Sequence, residues 1–190
     1  MLLIHGGLGE DIDADRFWVQ PGVLRGLRTA GFVVTAPDRD TTPSSWNAAA
    51  DAIAATLQEP TSLVAGSNGV SVAVRLALQN PRVVDRLLLL WPPTCGDLAV
   101  DATVPAAASH LLDGETMRGV TDDELAGLDV PVAVMPSDPV NRFHTRHTLD
   151  RLVELLPQTV HVFPGFPESP RPEFAAVRDA FIETLSPHLR

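Results

Sequence analysis

No lysine occurs in this chain. All fourteen basic residues are arginines, set against 24 Asp and Glu for a formal net charge of −10. The arginines are scattered singly and aromatics make up only 5% of residues. Nucleic acid is therefore excluded as a partner, because it needs a concentrated basic face or a stacking platform. The acidic balance likewise disfavours an anionic membrane surface. A single cysteine, Cys95, excludes an intramolecular disulfide and fits a reducing cytoplasm. No apolar stretch approaches the roughly 20 residues of a membrane helix. The opening residues MLLIHGG lack the basic region and long apolar run of a secretion signal. No His/Cys/Asp cluster has metal-ligand spacing, so neither a metal nor a cofactor is expected. Nothing in the sequence excludes a homo-oligomer.

What is present is an ordinary globular composition, 45% hydrophobic and 20% charged over 190 residues. That length suits one domain spanning 1–190 around a single substantial core. Short apolar runs alternate with longer segments of helical period. This is the pattern of an α/β protein with a mostly parallel sheet covered on both faces. Strands are expected at Leu2–His5, Phe32–Ala36, Ser62–Ala65, Arg86–Leu90, Val130–Met135 and Thr159–Phe163. Helices are expected at about Asp13–Ala30, Ser44–Leu57, Val70–Gln79, Arg142–Leu156 and Pro172–Leu185. Ser44 or Ser45, Asn141 and Thr121 are candidate N-caps, and Gly31 a candidate C-terminal stop. The one long interval without a strand signal lies between Pro92 and Leu128. It reads as two or three short helices forming a lid insertion at about 93–128.

Two motifs carry chemistry. In "AGSNG", Ser67 follows an apolar run and precedes a helical pattern, with small residues Ala65 and Gly69 two positions to either side. A sharp strand–Ser–helix turn needs that spacing, so that strand and helix approach closely and the hydroxyl stands exposed. In "LLIHGGLGE", the first strand ends in glycines whose free N–H groups stand beside that turn. Gly7 and Asn68 are the candidate donors of an oxyanion hole.

Taken with "GFVVTAPDRD", "NPRVVDRLLLLWPP" and "LDVPVAVMPSDP" in that order, these motifs resemble the α/β-hydrolase superfamily over nearly the whole chain. The resemblance implies strand order 4-3-5-6-7-8, the chain beginning at the family's third strand. It also implies a serine nucleophile at Ser67 and an acid just beyond Val130–Met135, where Asp138 stands. His5 corresponds to a histidine that supports the oxyanion loop and has a lesser chance of touching substrate. The resemblance fails at the general base: after the last strand, "PGFPESPRPEF" holds Glu168 where a histidine is expected.

Three repairs are physically open. Glu168 is itself the base, provided burial raises its pKa from about 4.3. Alternatively His144 or His147 reaches in from the segment after Asp138. His144 is the better placed, in the first turn of a helix capped by Asn141, where the positive helix end would keep the imidazole neutral. The third repair is that no serine hydrolysis occurs. Three functions follow: a hydrolase of a small, partly apolar ester, thioester or lactone; a non-hydrolytic lyase, dehydratase or cyclase using a carboxylate or histidine; or a binding protein that has lost the chemistry.

Overall fold

A computed structural model describes residues 1–156 and 160–189. Five parallel strands form the sheet in the spatial order of the chain: β1 (Leu2–Ile4), β2 (Thr61–Gly66), β3 (Val84–Leu90), β4 (Val132–Met135) and β5 (His161–Val162). Outside β1 the segment 32–36 runs parallel through one bridge, Leu2 to Thr35. With that segment counted, the order is the 4-3-5-6-7-8 that the resemblance implies. The strand expected at Phe32–Ala36 is thus reduced to a bridge. Its pattern explains why: Phe32 and Ala36 are only partly buried and Val33 is 87% exposed, so one face has nothing to pack on. The last expected strand shrinks to two residues, and its first position, Thr159, lies outside the described residues.

Helices cover both faces, as the near-continuous apolar strands require. On one face pack α2 (Trp46–Ala54), α3 (Gly69–Gln79) and α6 (Arg146–Leu155). On the other lie a π-helical turn (Asp15–Val19), α1 (Val23–Thr29) and α7 (Arg178–Leu185). The long first helix expected at Asp13–Ala30 is broken at Gly22, which has φ +85°. The segment between β3 and β4 holds α4 (Leu98–Asp101), a 3₁₀ helix (Ala106–Leu111) and α5 (Asp122–Ala126). Ser45 caps α2 by accepting from the N–H of Ala48, and Thr121 with Glu124 forms a full capping box on α5. Gly31, with φ +93°, follows the end of α1. Among the described residues no helix is long and apolar enough to cross a membrane.

The second face is held by an aromatic cluster. Trp18 and Phe181 both stack on Trp91, and Phe17, Phe166 and Phe174 close around them. Trp91 follows β3 directly, and its indole N–H donates to the carbonyl of Phe166, 2.9 Å away. This bond ties the buried cluster to the loop after β5, which carries Glu168.

Candidate active site

Ser67 follows β2 directly with φ 49°, one of two non-glycine residues with positive φ among those described. Such a conformation costs on the order of 1–3 kcal/mol and persists only where surroundings impose it. Here the N–H of Ser67 donates to Leu90 on β3 and α3 begins two residues later. A Cβ on Gly69 would lie 2.5 Å from the carbonyl oxygen of His5, so only glycine lets α3 come this close to the end of β1.

Opposite stands His144. Its Nε2 lies 3.1 Å from Ser67 Oγ and its Nδ1 lies 2.7 Å from Glu168 Oε1. Both side chains are largely buried. For Nε2 to accept the hydroxyl proton, the ring hydrogen must sit on Nδ1, where Glu168 receives it. His144 reaches this position without belonging to a helix. Helix α6 starts at Arg146, and Asn141 turns its own segment, its side chain accepting from Phe143 N–H. Two further bonds fix this turn: Thr94 N–H donates to Phe143, and Thr145 N–H donates to Thr94 Oγ1. His144 thus lies just before Thr145, the N-cap of α6, and not, as expected, in the first turn of a helix capped by Asn141.

Glu168 is held from several sides. Ser137 Oγ and Asn141 Nδ2 lie 2.9 Å and 2.8 Å from Oε1, and Arg171 pairs with Oε2. Burial pushes its carboxyl pKa up. The hydrogen bond and charge of His144, with Asn141, outweigh that and bring it to about 2. Glu168 is thus a carboxylate near neutrality and far too weak to be the base itself. It fits the role of the acid that orients an imidazole. Asp138, the acid that the sequence order points to, is exposed. Its N–H donates to the carbonyl of Phe166, and Gly165 passes so close that a Cβ there would lie 2.7 Å from Asp138 Cβ. His144 thus reaches Glu168 rather than Asp138.

The loop after β1 is shaped by an arginine that sequence reading passed over. Arg39 Nε donates to His5 O at 2.9 Å, and Nη2 donates to Gly6 O and Gly7 O at 2.9 and 2.6 Å. Burial lowers its pKa to about 10, against the opposing charge of Asp40. One guanidinium thus takes three consecutive carbonyls. The N–H groups of Gly7, Leu8 and Asn68 donate to no acceptor among the described residues. Gly7 and Leu8 are buried and Asn68 half-buried, and buried N–H groups without a partner are rare in folded proteins. Leu8 joins the two donors expected from sequence. His5 is fully buried and its Nε2 accepts from Arg39 N–H at 3.0 Å, so it touches the loop and not the cavity. Burial first, and then the charge of Arg39, lower its pKa.

Ser67, Asn68 and His144 line a cavity of about 210 Å³ with Leu8, Val100, Val104 and Phe143. Arg118, almost fully buried, completes the wall, its Nη1 donating to Asn68 Oδ1 and its Nη2 to Asp101 Oδ1. His147 is exposed on α6. Cys95 lines a different cavity, and burial pushes its thiol pKa up, the wrong direction for a nucleophile.

No family model matches the chain, and no curated protein is similar in sequence. Solved structures are. A meta-cleavage product hydrolase from Pseudomonas fluorescens superposes with TM-score 0.71 at 17% identity, over 98% of this chain and 90% of that one. A putative non-heme bromoperoxidase from Mycobacterium tuberculosis gives 0.71 at 15%, over 98% and 91%. The chain has the α/β-hydrolase fold. A thioesterase domain from the curacin biosynthetic pathway matches at 0.67 and 16% identity, over 96% of this chain and 90% of that one. Likeness at such identities concerns the fold alone, and fold does not decide chemistry. Within the α/β-hydrolase fold of this chain, Ser137 and Asn141, which steady Glu168, and Arg171, Arg39 and Arg118 escaped sequence reading. The only signal for Asn141 was its cap-like position, and it was read as a helix start.

Proposed function

We propose that this chain is a serine hydrolase whose catalytic groups are Ser67, His144 and Glu168, acting on a small, partly apolar ester, thioester or lactone. The observation that carries this reading is the unbroken sequence of contacts from Ser67 Oγ through His144 to a buried carboxylate. Ser67 Oγ attacks the carbonyl carbon as its proton passes to His144 Nε2. Glu168 holds the opposite ring N–H and favours the imidazolium that forms. The new oxyanion is received by N–H groups of Gly7 and Asn68, with Leu8 beside them. His144 then protonates the departing oxygen or sulfur, leaving an acyl group on Ser67. Water attacks that ester as His144 takes a proton from it, and Ser67 is regenerated with release of the acid.

Residues 93–128 act as the lid of this site, supplying Val100, Val104 and Arg118 to the cavity. A meta-cleavage product hydrolase and a thioesterase domain among the structural neighbours agree with acyl chemistry. The lyase reading drew its support from the lack of a base, as the binding-protein reading did in part, and His144 stands in that place.

A fluorophosphonate probe tests the proposal directly. The folded chain is expected to take one label, at Ser67, and Ser67→Ala to take none and to lose ester turnover by at least about 10³-fold. A folded wild-type protein that stays unlabelled beside a reactive serine hydrolase in the same tube sinks the proposal.

A further inference from the structure

Arg39 takes no part in the proton relay and does not line the cavity around Ser67. Its guanidinium is committed to backbone. Nη2 donates to Gly6 O at 2.9 Å and to Gly7 O at 2.6 Å, Nε to His5 O at 2.9 Å, and Nη1 to Asp40 O at 2.9 Å. The N–H of Arg39 donates to His5 Nε2, so the proton of that neutral ring sits on Nδ1. From there it is donated to Gly6 O, 2.8 Å away. Gly6 O thus receives two donors and Gly7 O one.

These bonds determine where the other side of each peptide points. The Gly6–Gly7 and Gly7–Leu8 peptides are trans, and in a planar trans peptide the N–H lies antiparallel to the C=O. With both carbonyls drawn to one nitrogen of Arg39, the N–H groups of Gly7 and Leu8 point away from it. Neither meets an acceptor among the described residues. Ser67 stands beside them: a Cβ on Gly6 would lie 2.9 Å from Ser67 Cβ, and Leu8 shares a cavity wall with Ser67. Polarisation adds to orientation. A carbonyl that accepts from a cation makes the N–H of the same peptide a stronger donor, because hydrogen bonds in a chain reinforce one another.

We propose that Arg39 is the positioning residue of the oxyanion hole: by holding Gly6 O and Gly7 O it aims the N–H groups of Gly7 and Leu8 at the oxyanion. This inference rests on Ser67 being the nucleophile.

The test uses an ester and its thiono analogue, p-nitrophenyl butanoate with oxygen or with sulfur doubly bonded to the acyl carbon. Sulfur is a weak acceptor, so the thiono ester gains little from N–H groups aimed at the oxyanion. The ratio of the two kcat/KM values, divided by the same ratio for hydroxide, therefore reads the oxyanion donors. For the wild type it is expected to be about 10² or more. In Arg39→Met, which loses both fork and charge, it should fall about tenfold or more. Arg39→Lys keeps a cation but only a single point of donors, and is expected to lie between the two. A merely structural role would slow both esters alike and leave the ratio where it was. A cooperative melting transition shows that each variant is folded.

A ratio in folded Arg39→Met within about threefold of the wild type overturns this inference and leaves the hydrolase reading standing. So does a wild type that takes the fluorophosphonate label yet shows no preference for the oxygen ester. If Arg39→Met does not fold, the same threshold applies to Arg39→Lys. Failure of both to fold overturns the inference, since Arg39 would then serve the fold and not the reaction. No label and no turnover in the wild type overturn both readings together.

Discussion

Two loops face each other at the C-terminal edge of the sheet, one after β4 and one after β5. In the arrangement implied by the resemblance, the first supplies the acid and the second the histidine. Here the first holds His144 and the second Glu168. In the proposed relay the histidine and the acid have exchanged loops while the fold that carries them is unchanged. A proton relay demands that an imidazole touch Ser67 on one side and a carboxylate on the other; it makes no demand on which loop delivers which. What the exchange does require is that the loops meet. They do so through the Ser137–Phe166 bridge and the bond from Asp138 N–H to Phe166.

The strongest way to break the comparison is to remove each of the two exchanged groups in turn. His144→Ala is expected to lower kcat/KM for an activated ester by about 10³-fold or more, and Glu168→Gln by about 10²- to 10⁴-fold. Asp138→Asn should stay within about twofold. A large loss at Asp138 with little at Glu168 would return the acid to the loop after β4. Next in size comes the exchange itself. His144→Asp combined with Glu168→His places the two groups as the resemblance implies. The double variant should exceed the slower single variant by about tenfold, measured as the rate of fluorophosphonate labelling. No gain over either single variant would mean that the loops differ in more than the side chains they present.

The smallest effect concerns stability against pH, and it separates the relay from its scaffold. Glu168 is depressed to about 2 from an ordinary 4.5, so its contribution is present above pH 4.5 and is lost as pH falls toward 2. His5 is also depressed, because its burial favours the neutral ring. Its contribution is therefore present above about 6.5 and is lost as pH falls below that. Melting temperature should accordingly decline in two windows. His5→Asn is expected to shrink the upper one, which His188 shares, and Glu168→Gln the lower, which Glu124 and Asp122 share. One window that is unchanged by both variants would contradict the assignment.

Much of this was legible in the chain. The alternation of apolar runs with helical segments foretold a mostly parallel sheet, because strands buried on both faces leave a strong pattern; its strand order came only with the family resemblance. The elbow around Ser67 was equally visible, since sharp turns demand small residues at fixed offsets. Glu168 stood out as the residue in the histidine's place, and His144 as a replacement within reach. Their mutual contact was not legible, nor was the displacement of Asp138. Those depend on how closely two loops approach, which turns on Gly165 having no Cβ and on Trp91 gripping Phe166. Arg39 and Arg118 were hidden for another reason. A single arginine in a polar stretch reads as solvated surface, and only the folded chain shows which arginines are walled in.

The grip of Trp91 on Phe166 also gives the molecule a built-in optical gauge. Of three tryptophans, Trp18 and Trp91 lie stacked in the aromatic cluster, while Trp46 sits across the sheet with its indole N–H on Leu111. A loosening of the Glu168 loop that breaks the Trp91–Phe166 bond would let water reach the Trp91 indole. The emission spectrum of the unlabelled protein therefore reads out the readiness of the acid, with Trp46 as an internal reference on the opposite face.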